Sequence, residues 1–160
     1  IFKNLKGVIF VMPGYAGGNV VNPTYEQVCT GKTGHAEVIK VEFHPVIISL
    51  NNLLEVFFSI HDPTTLNRQG HDVGDQYRSV IFTVLLEQER EAKDKIVGLT
   101  KEGIFKDKIV TEVKLLDKFY PAEEYHRDYF ERNPDQTYCQ LIINPKLKKF
   151  KDKWKEFLKA

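Results

Sequence analysis

The apolar positions change period several times along the chain, and each change marks an element. Phe2 and Leu5 stand at helical spacing and Gly7 follows as a stop, so IFKNLKG reads as the last turn of a helix. Val8 to Val11 is a short apolar run that suits a strand, which MPGYAGG (Met12–Gly18) would break with one Pro and three Gly. Asn19–Ala36 has turn formers and no apolar face, the signature of a long polar loop. From Glu37 the period becomes two: Glu37, Ile39, Val41 and Phe43 share one face, Val38, Lys40 and Glu42 the other. A carboxylate therefore opens the mostly apolar face. Ser49 is a candidate N-cap, and Leu50, Leu53, Leu54, Phe57 and Phe58 trace an amphipathic helix that Pro63 ends.

A second polar loop, TTLNRQGHDVGDQ, leads to Tyr77–Leu85, a strand by its β-branched and aromatic content. Glu87–Lys101 reads as a charged surface helix with Ile96 and Leu99 as its apolar residues. Ile109, Thr111, Val113 and Leu115 alternate as a strand. Glu123–Arg132 is a short helix after Pro121, and NPKLKKFKDKWKEFLK is a C-terminal helix with Leu147, Phe150, Trp154 and Phe157 at helical spacing. Short strands, partly polar on one face and alternating with helices, favour an α+β two-layer sandwich over a doubly wound parallel sheet. Both long polar loops adjoin strands and could meet at one end of the sheet.

Length and composition narrow the field. The 160 residues fit one domain with a real core, and a net charge of +1 gives no general argument for nucleic acid. No apolar run approaches the ~18 residues that span a bilayer, and no secretory signal is visible. Two cysteines make no disulfide framework, so a reducing cytoplasmic setting is expected. The chain opens without an initiator Met, which reads as a truncated start.

Several residues could carry chemistry. Cys29 and His35 would serve a hydrolase only with a third orienting group, and Cys29 is otherwise a small buried apolar residue. His35-x-Glu37, His61-Asp62 and His71-Asp72 offer metal ligands without a zinc spacing. The seven lysines after Pro145 could bind a membrane or acidic partner, or simply solvate one helix face. Glu37, if inward-facing, would have a raised pKa and could donate a proton near neutrality; otherwise it is a strand-end carboxylate in solvent.

GYAGG (Gly14–Gly18), NPTYEQVCTGKTGHAE (Asn22–Glu37), HDPTTLNRQGHDVGDQYRS (His61–Ser79), YPAEEYHRDYFERNP (Tyr120–Pro134) and YCQLIINPKLKKF (Tyr138–Phe150) together resemble the peptide methionine sulfoxide reductase A family, in order and over nearly the whole chain. The resemblance implies a ferredoxin-like α+β two-layer sandwich with a mixed or antiparallel sheet, forming a single domain over 1–160. It implies reduction of the S epimer of methionine sulfoxide, free or in proteins. Glu37 falls where the family has its proton donor, and Tyr25 and Tyr77 where two tyrosines bind the sulfoxide oxygen. Asp72 matches a pocket aspartate, His71 stands where Asn is common, and Asp75 replaces a more usual Thr. Cys139 lies where many members carry a resolving thiol, whereas Cys29 matches a loop cysteine that is not the nucleophile.

The family nucleophile belongs to a GCFW motif at the start of the first helix, and GCFW does not occur in these 160 residues. The expectation is thus a chain lacking the family's first strand and the start of its first helix, inactive as it stands. The alternative is a pseudoenzyme that binds oxidised-Met peptides or protein partners. The resemblance implies no metal or organic cofactor, with reducing equivalents from thioredoxin or a small dithiol. It also implies no nucleic acid or membrane partner, and a monomer.

Overall fold

The computed structural model describes residues 1–137, 141 and 144–160. Its platform is a three-stranded antiparallel sheet. The central strand β1 (Val8–Ala16) pairs on one side with β2 (Ala36–Phe43), from Val8↔Phe43 to Ala16↔Ala36, with a bulge between Val8 and Phe10. On its other side Gly14–Ala16 pair with a short strand at Phe119–Pro121.

The first strand is longer than the sequence suggests, because MPGYA continues it. Pro13 is tolerated for a local reason. Its carbonyl accepts the Ala122 N–H at 2.9 Å, so its own nitrogen faces the same side, past the last paired residue there. Gly14 is required by crowding: a Cβ at that position would lie 2.3 Å from the Phe119 ring.

The second layer is α2 (Leu50–Ile60), which starts at Ser49 with a reciprocal capping box to Asn52. Leu53 and Val56 bury against Phe2, Leu5, Val8, Ile48, Phe150 and Trp154, and Val11, Val41 and Phe43 of the sheet pack onto the same cluster. Fully burying a side chain such as Leu5 is worth about 2–3 kcal/mol. The two chain termini help close this core. Leu5 bridges to Leu158, and the Lys159 N–H donates to the Asn4 carbonyl at 2.8 Å. The basic helix α5 (Asn144–Lys153) supplies Phe150 to the core, with Trp154 just beyond its end, and leaves most of its lysines in water.

A smaller unit sits beside this one. β5 (Val80–Thr83) and β6 (Glu112–Leu115) are parallel, joined by α3 (Leu86–Lys101), which also packs on α2. The strand expected from Tyr77 begins only at Val80, because Asp75–Tyr77 tighten into a 3₁₀ turn. The helix expected at Glu123–Arg132 is split into a 3₁₀ turn at Glu124–His126 and the single turn Tyr129–Arg132. Between them Asp128 sits at φ 53°, where its carboxylate meets Lys3 Nζ at 2.7 Å. The architecture is α+β, as expected.

Both polar loops contain structure the hydrophobic pattern hid. The first holds α1 (Tyr25–Cys29). The second holds a hairpin of β3 (Arg68–Gln69) and β4 (Asp72–Val73). With these named, the strand at Phe119–Pro121 is β7.

Candidate functional site

The site is assembled where the two loops meet at one end of the β1–β2 ladder. The short helix α1 exists because Thr24 and Gln27 form a capping box: the Thr24 hydroxyl accepts the Gln27 N–H, and the Gln27 side chain accepts the Thr24 N–H. This T-x-x-Q signal was readable in the sequence. Four residues apart, Tyr25 and Cys29 lie on one helix face. The neighbouring Cys29 side chain, then burial, raises the Tyr25 pKa, so its phenol stays protonated. Cys29 is exposed rather than buried, contrary to the bland reading of it.

His35 is not a base for Cys29. The Gly18 N–H donates to His35 Nδ1 at 3.0 Å, and His35 Nε2 donates to the Val20 carbonyl at 2.7 Å. Both ring nitrogens are committed to backbone in an imidazole that is 2% exposed. His35 therefore pins the glycine turn after β1 to the α1 loop. Gly18 must be glycine for this contact, since a Cβ would come 2.3 Å from the Thr33 carbonyl.

Glu37 pairs with Tyr15 across the β1–β2 ladder. Of the two readings that the alternation left open, the strand-end carboxylate is the one observed: Glu37 is exposed. The α2 layer covers Val41 and Phe43, and Glu37 lies beyond it. Even so, loss of surrounding water pushes the Glu37 carboxyl above its ordinary value, and the Asp72 charge adds to the shift. Tyr77 is raised by burial, then by Glu37 and Asp72. Tyr25 also feels Glu37 and Tyr77. Tyr25, Glu37, Asp72 and Tyr77 therefore share one electrostatic neighbourhood. His71 is exposed at the hairpin turn, and Cys139 lies outside the described residues.

Arg78 clasps the two loops. Its side chain is 9% exposed. Nη2 donates to the Gly34 carbonyl at 2.9 Å, Nη1 donates to the Asp75 carbonyl at 3.1 Å, and Nε faces Glu112 at 3.4 Å. Asp75 completes the clasp with an ion pair to Nη1 at 3.3 Å, which accounts for this carboxylate beside the site. Sequence reasoning missed Arg78, because nothing in local pattern marks which of many cations is buried.

Glu123 was also missed. Its Oε1 accepts the Tyr25 N–H at 2.7 Å and its Oε2 accepts the Tyr15 hydroxyl at 2.8 Å. Partial burial opposes its ionisation, but these hydrogen bonds and its own backbone hold its pKa below the usual carboxylate range. His126 stacks against Tyr25 at 4.5 Å between ring centroids, and Tyr125 against His126 at 4.3 Å.

His61 forms a second polar chain, away from this cluster. Its Nδ1 donates to the Phe57 carbonyl at 2.6 Å, so its Nε2 accepts from Ser79 Oγ at 2.7 Å, and Ser79 meets Thr111 Oγ1 at 2.8 Å. Burial lowers the His61 pKa, and Ser79 is itself buried. The chain joins the end of α2 to the approaches of β5 and β6. Among the described residues no group of three or more His, Cys, Asp and Glu could hold a metal ion.

Comparison with known proteins extends this picture. A family model described as peptide methionine sulfoxide reductase matches residues 1–158. A peptide methionine sulfoxide reductase MsrA of Nautilia profundicola is 53% identical over 150 residues, covering 94% of this chain and 85% of the relative. The crystal structure of reduced Mxr1 from Saccharomyces cerevisiae superposes with a TM-score of 0.78 at 36% identity, covering 83% of this chain and 76% of the yeast one. The same yeast protein, solved in complex with Trx2, gives a TM-score of 0.52 at 27% identity, covering 74% of this chain and 65% of that one.

Proposed function

The chain belongs to the peptide methionine sulfoxide reductase family, and from this premise we propose that the loop cluster around Glu37 binds methionine sulfoxide for its reduction to methionine. The preferred epimer is S. Glu37 is the proton donor. Its upward-shifted carboxyl can carry a proton closer to neutrality than an ordinary glutamate, and the sulfoxide oxygen leaves only when protonated. The hydroxyls of Tyr25 and Tyr77, both shifted upward and so protonated, donate hydrogen bonds to that oxygen as charge grows on it. Asp72 holds the Glu37 carboxyl high by its charge, and His71 borders the substrate.

A thiol then attacks the sulfoxide sulfur. The protonated oxygen passes from the methionine sulfur to the thiol sulfur, so that methionine leaves and the thiol becomes a sulfenic acid. A second thiol condenses with it, releasing water and forming a disulfide, which an external dithiol reduces. Cys139 is the candidate second thiol. A thioredoxin-like reductant fits the last step, as the yeast relative was solved with Trx2. These steps call for no metal or organic cofactor. We place the protein in the cytoplasm as a monomer. Among the described residues no helix is long and apolar enough to cross a membrane.

What supports this reading above all is the shared electrostatic neighbourhood of Glu37, Tyr25 and Tyr77. The two cysteines of the chain lie outside any GCFW motif. These 160 residues alone are therefore proposed to bind the sulfoxide without turning it over. The test pairs NMR titration with methionine (S)-sulfoxide and a dithiothreitol-driven assay for methionine. Perturbation of the Tyr25 and Tyr77 rings by sulfoxide, but not by methionine, with no turnover, is the expected result. Turnover that disappears in Cys29→Ser would instead make Cys29 the nucleophile. Rings indifferent to the sulfoxide would remove the site assignment.

A further inference from the structure

We propose that Glu123 is a positioning residue that sets where the Tyr25 hydroxyl stands relative to Glu37; this rests on the reading of Tyr25 as a ligand of the sulfoxide oxygen. The two oxygens of one carboxylate join two elements. Oε1 takes the N–H of Tyr25, the first residue of α1, and Oε2 takes the hydroxyl of Tyr15 on β1. Tyr15 is the residue directly opposite Glu37 across the ladder. The proton donor's strand and the helix carrying Tyr25 are thus referenced to one rigid group.

The backbone around Glu123 is fixed to the same strand. β7 pairs with Gly14–Ala16, and the Ala122 N–H donates to the Pro13 carbonyl at 2.9 Å. Glu123 follows immediately, so its carboxylate cannot drift far from β1. Beyond it, the 3₁₀ turn at Glu124–His126 places the His126 ring on the Tyr25 ring. Tyr25 is held at both ends, its backbone by a carboxylate and its ring by an imidazole. Without Glu123, the Thr24–Gln27 capping box would still form the helix but would not fix its direction. A helix of five residues has little else to orient it.

The experiment compares Glu123→Ala and Glu123→Gln with the unaltered 160-residue chain and in a Tyr25→Phe background. The readouts are the NMR contact between the Tyr25 and His126 rings, the thermal midpoint, and the affinity for methionine (S)-sulfoxide. Glu123→Ala is expected to abolish the ring contact and weaken sulfoxide binding about tenfold. Glu123→Gln, whose amide oxygen can still accept the Tyr25 N–H, should keep the ring contact and most of the affinity. In the Tyr25→Phe background Glu123→Ala should cost no further affinity, because its effect runs through that hydroxyl. A purely structural carboxylate would weaken both backgrounds equally, and that result overturns the proposal. So does an intact ring contact in Glu123→Ala. If Tyr25→Phe alone leaves sulfoxide affinity unchanged while Glu123→Ala still releases the ring, the failure lies in the role given to Tyr25.

Discussion

At one end of the β1–β2 ladder Val8 faces Phe43 beneath α2, in contact with a cluster that includes Leu5, Ile48 and Trp154. At the other end Tyr15 faces Glu37, and what gathers the surroundings is a set of polar clasps: Arg78 on Gly34, His35 on Gly18 and Val20, Glu123 on Tyr15 and Tyr25. The same two strands thus join regions held by different physics. Apolar burial is strong and non-directional, so it stabilises the fold without fixing any single atom. Hydrogen bonds to ionised groups contribute less net stability, but they have a direction and a length, which is what the proposed site for the sulfoxide oxygen requires.

The comparison predicts that stability and ligand affinity separate. Trp154→Ala at the apolar end should lower unfolding free energy by about 3–5 kcal/mol, the usual cost of emptying a large aromatic site. Trp154 is 7% exposed and sits in the cluster that closes the termini. Sulfoxide affinity of the fraction still folded should not change. Urea unfolding and NMR titration on one sample test both halves, and a loss under about 1 kcal/mol would break the division.

Arg78→Met probes the other end. Its partners Asp75 and Glu112 keep side-chain exposures of 39% and 35% and can rehydrate, so the stability loss should be only about 1–2 kcal/mol. The Gly34 carbonyl would lose its tie to the second loop, and affinity for methionine (S)-sulfoxide should fall at least about tenfold through misplacement of Tyr77. Equal losses in stability and affinity would show that the clasp is simply more core.

This division also explains what the sequence could reveal. The period-3.6 pattern of Leu53, Leu54, Phe57 and Phe58 and the Ser49 cap marked α2, and Phe150 and Trp154 marked the C-terminal helix, because burial leaves a periodic trace. The resemblance brought Tyr25, Glu37, Asp72 and Tyr77 together. Arg78 and Glu123 stayed hidden since a clasp depends on what meets it across 44 or 98 positions of chain, and no local period records that. The two readings of Glu37 stayed open for a related reason: alternation says which face a residue shares, not how far along the strand the covering helix reaches.

Glu37 also gives the comparison a pH axis. Its folded carboxyl lies above the ordinary glutamate value, so the protonated form, the one proposed to bind the sulfoxide oxygen, dominates below that raised pKa and is lost as pH rises through it. Sulfoxide affinity should follow the same curve, falling about tenfold across it as one hydrogen bond is removed. Glu37→Gln keeps a donor that does not titrate. Titrations at stepped pH should show this curve flattened in the variant, and a slope that survives the substitution would assign the pH dependence to another group.

The smallest effect belongs to Thr24→Ala, and it shows how the clasps share their work. The Thr24 hydroxyl satisfies the Gln27 N–H at 3.2 Å, a cap whose loss ordinarily costs about 1 kcal/mol. Here the reciprocal bond from the Thr24 N–H to Gln27 Oε1 at 2.9 Å remains, and Glu123 still holds the first helical N–H. Only the amide at Gln27 loses its partner, and it lies at an exposed turn where water can replace the hydroxyl. Global unfolding should therefore shift by less than about 0.5 kcal/mol, whereas hydrogen exchange at the Gln27 amide should quicken several-fold with the Tyr25 amide unchanged. If Tyr25 exchange quickens as well, the capping box rather than the distant carboxylate sets the direction of α1, and the polar end of the ladder is organised locally instead of through contacts spanning the chain.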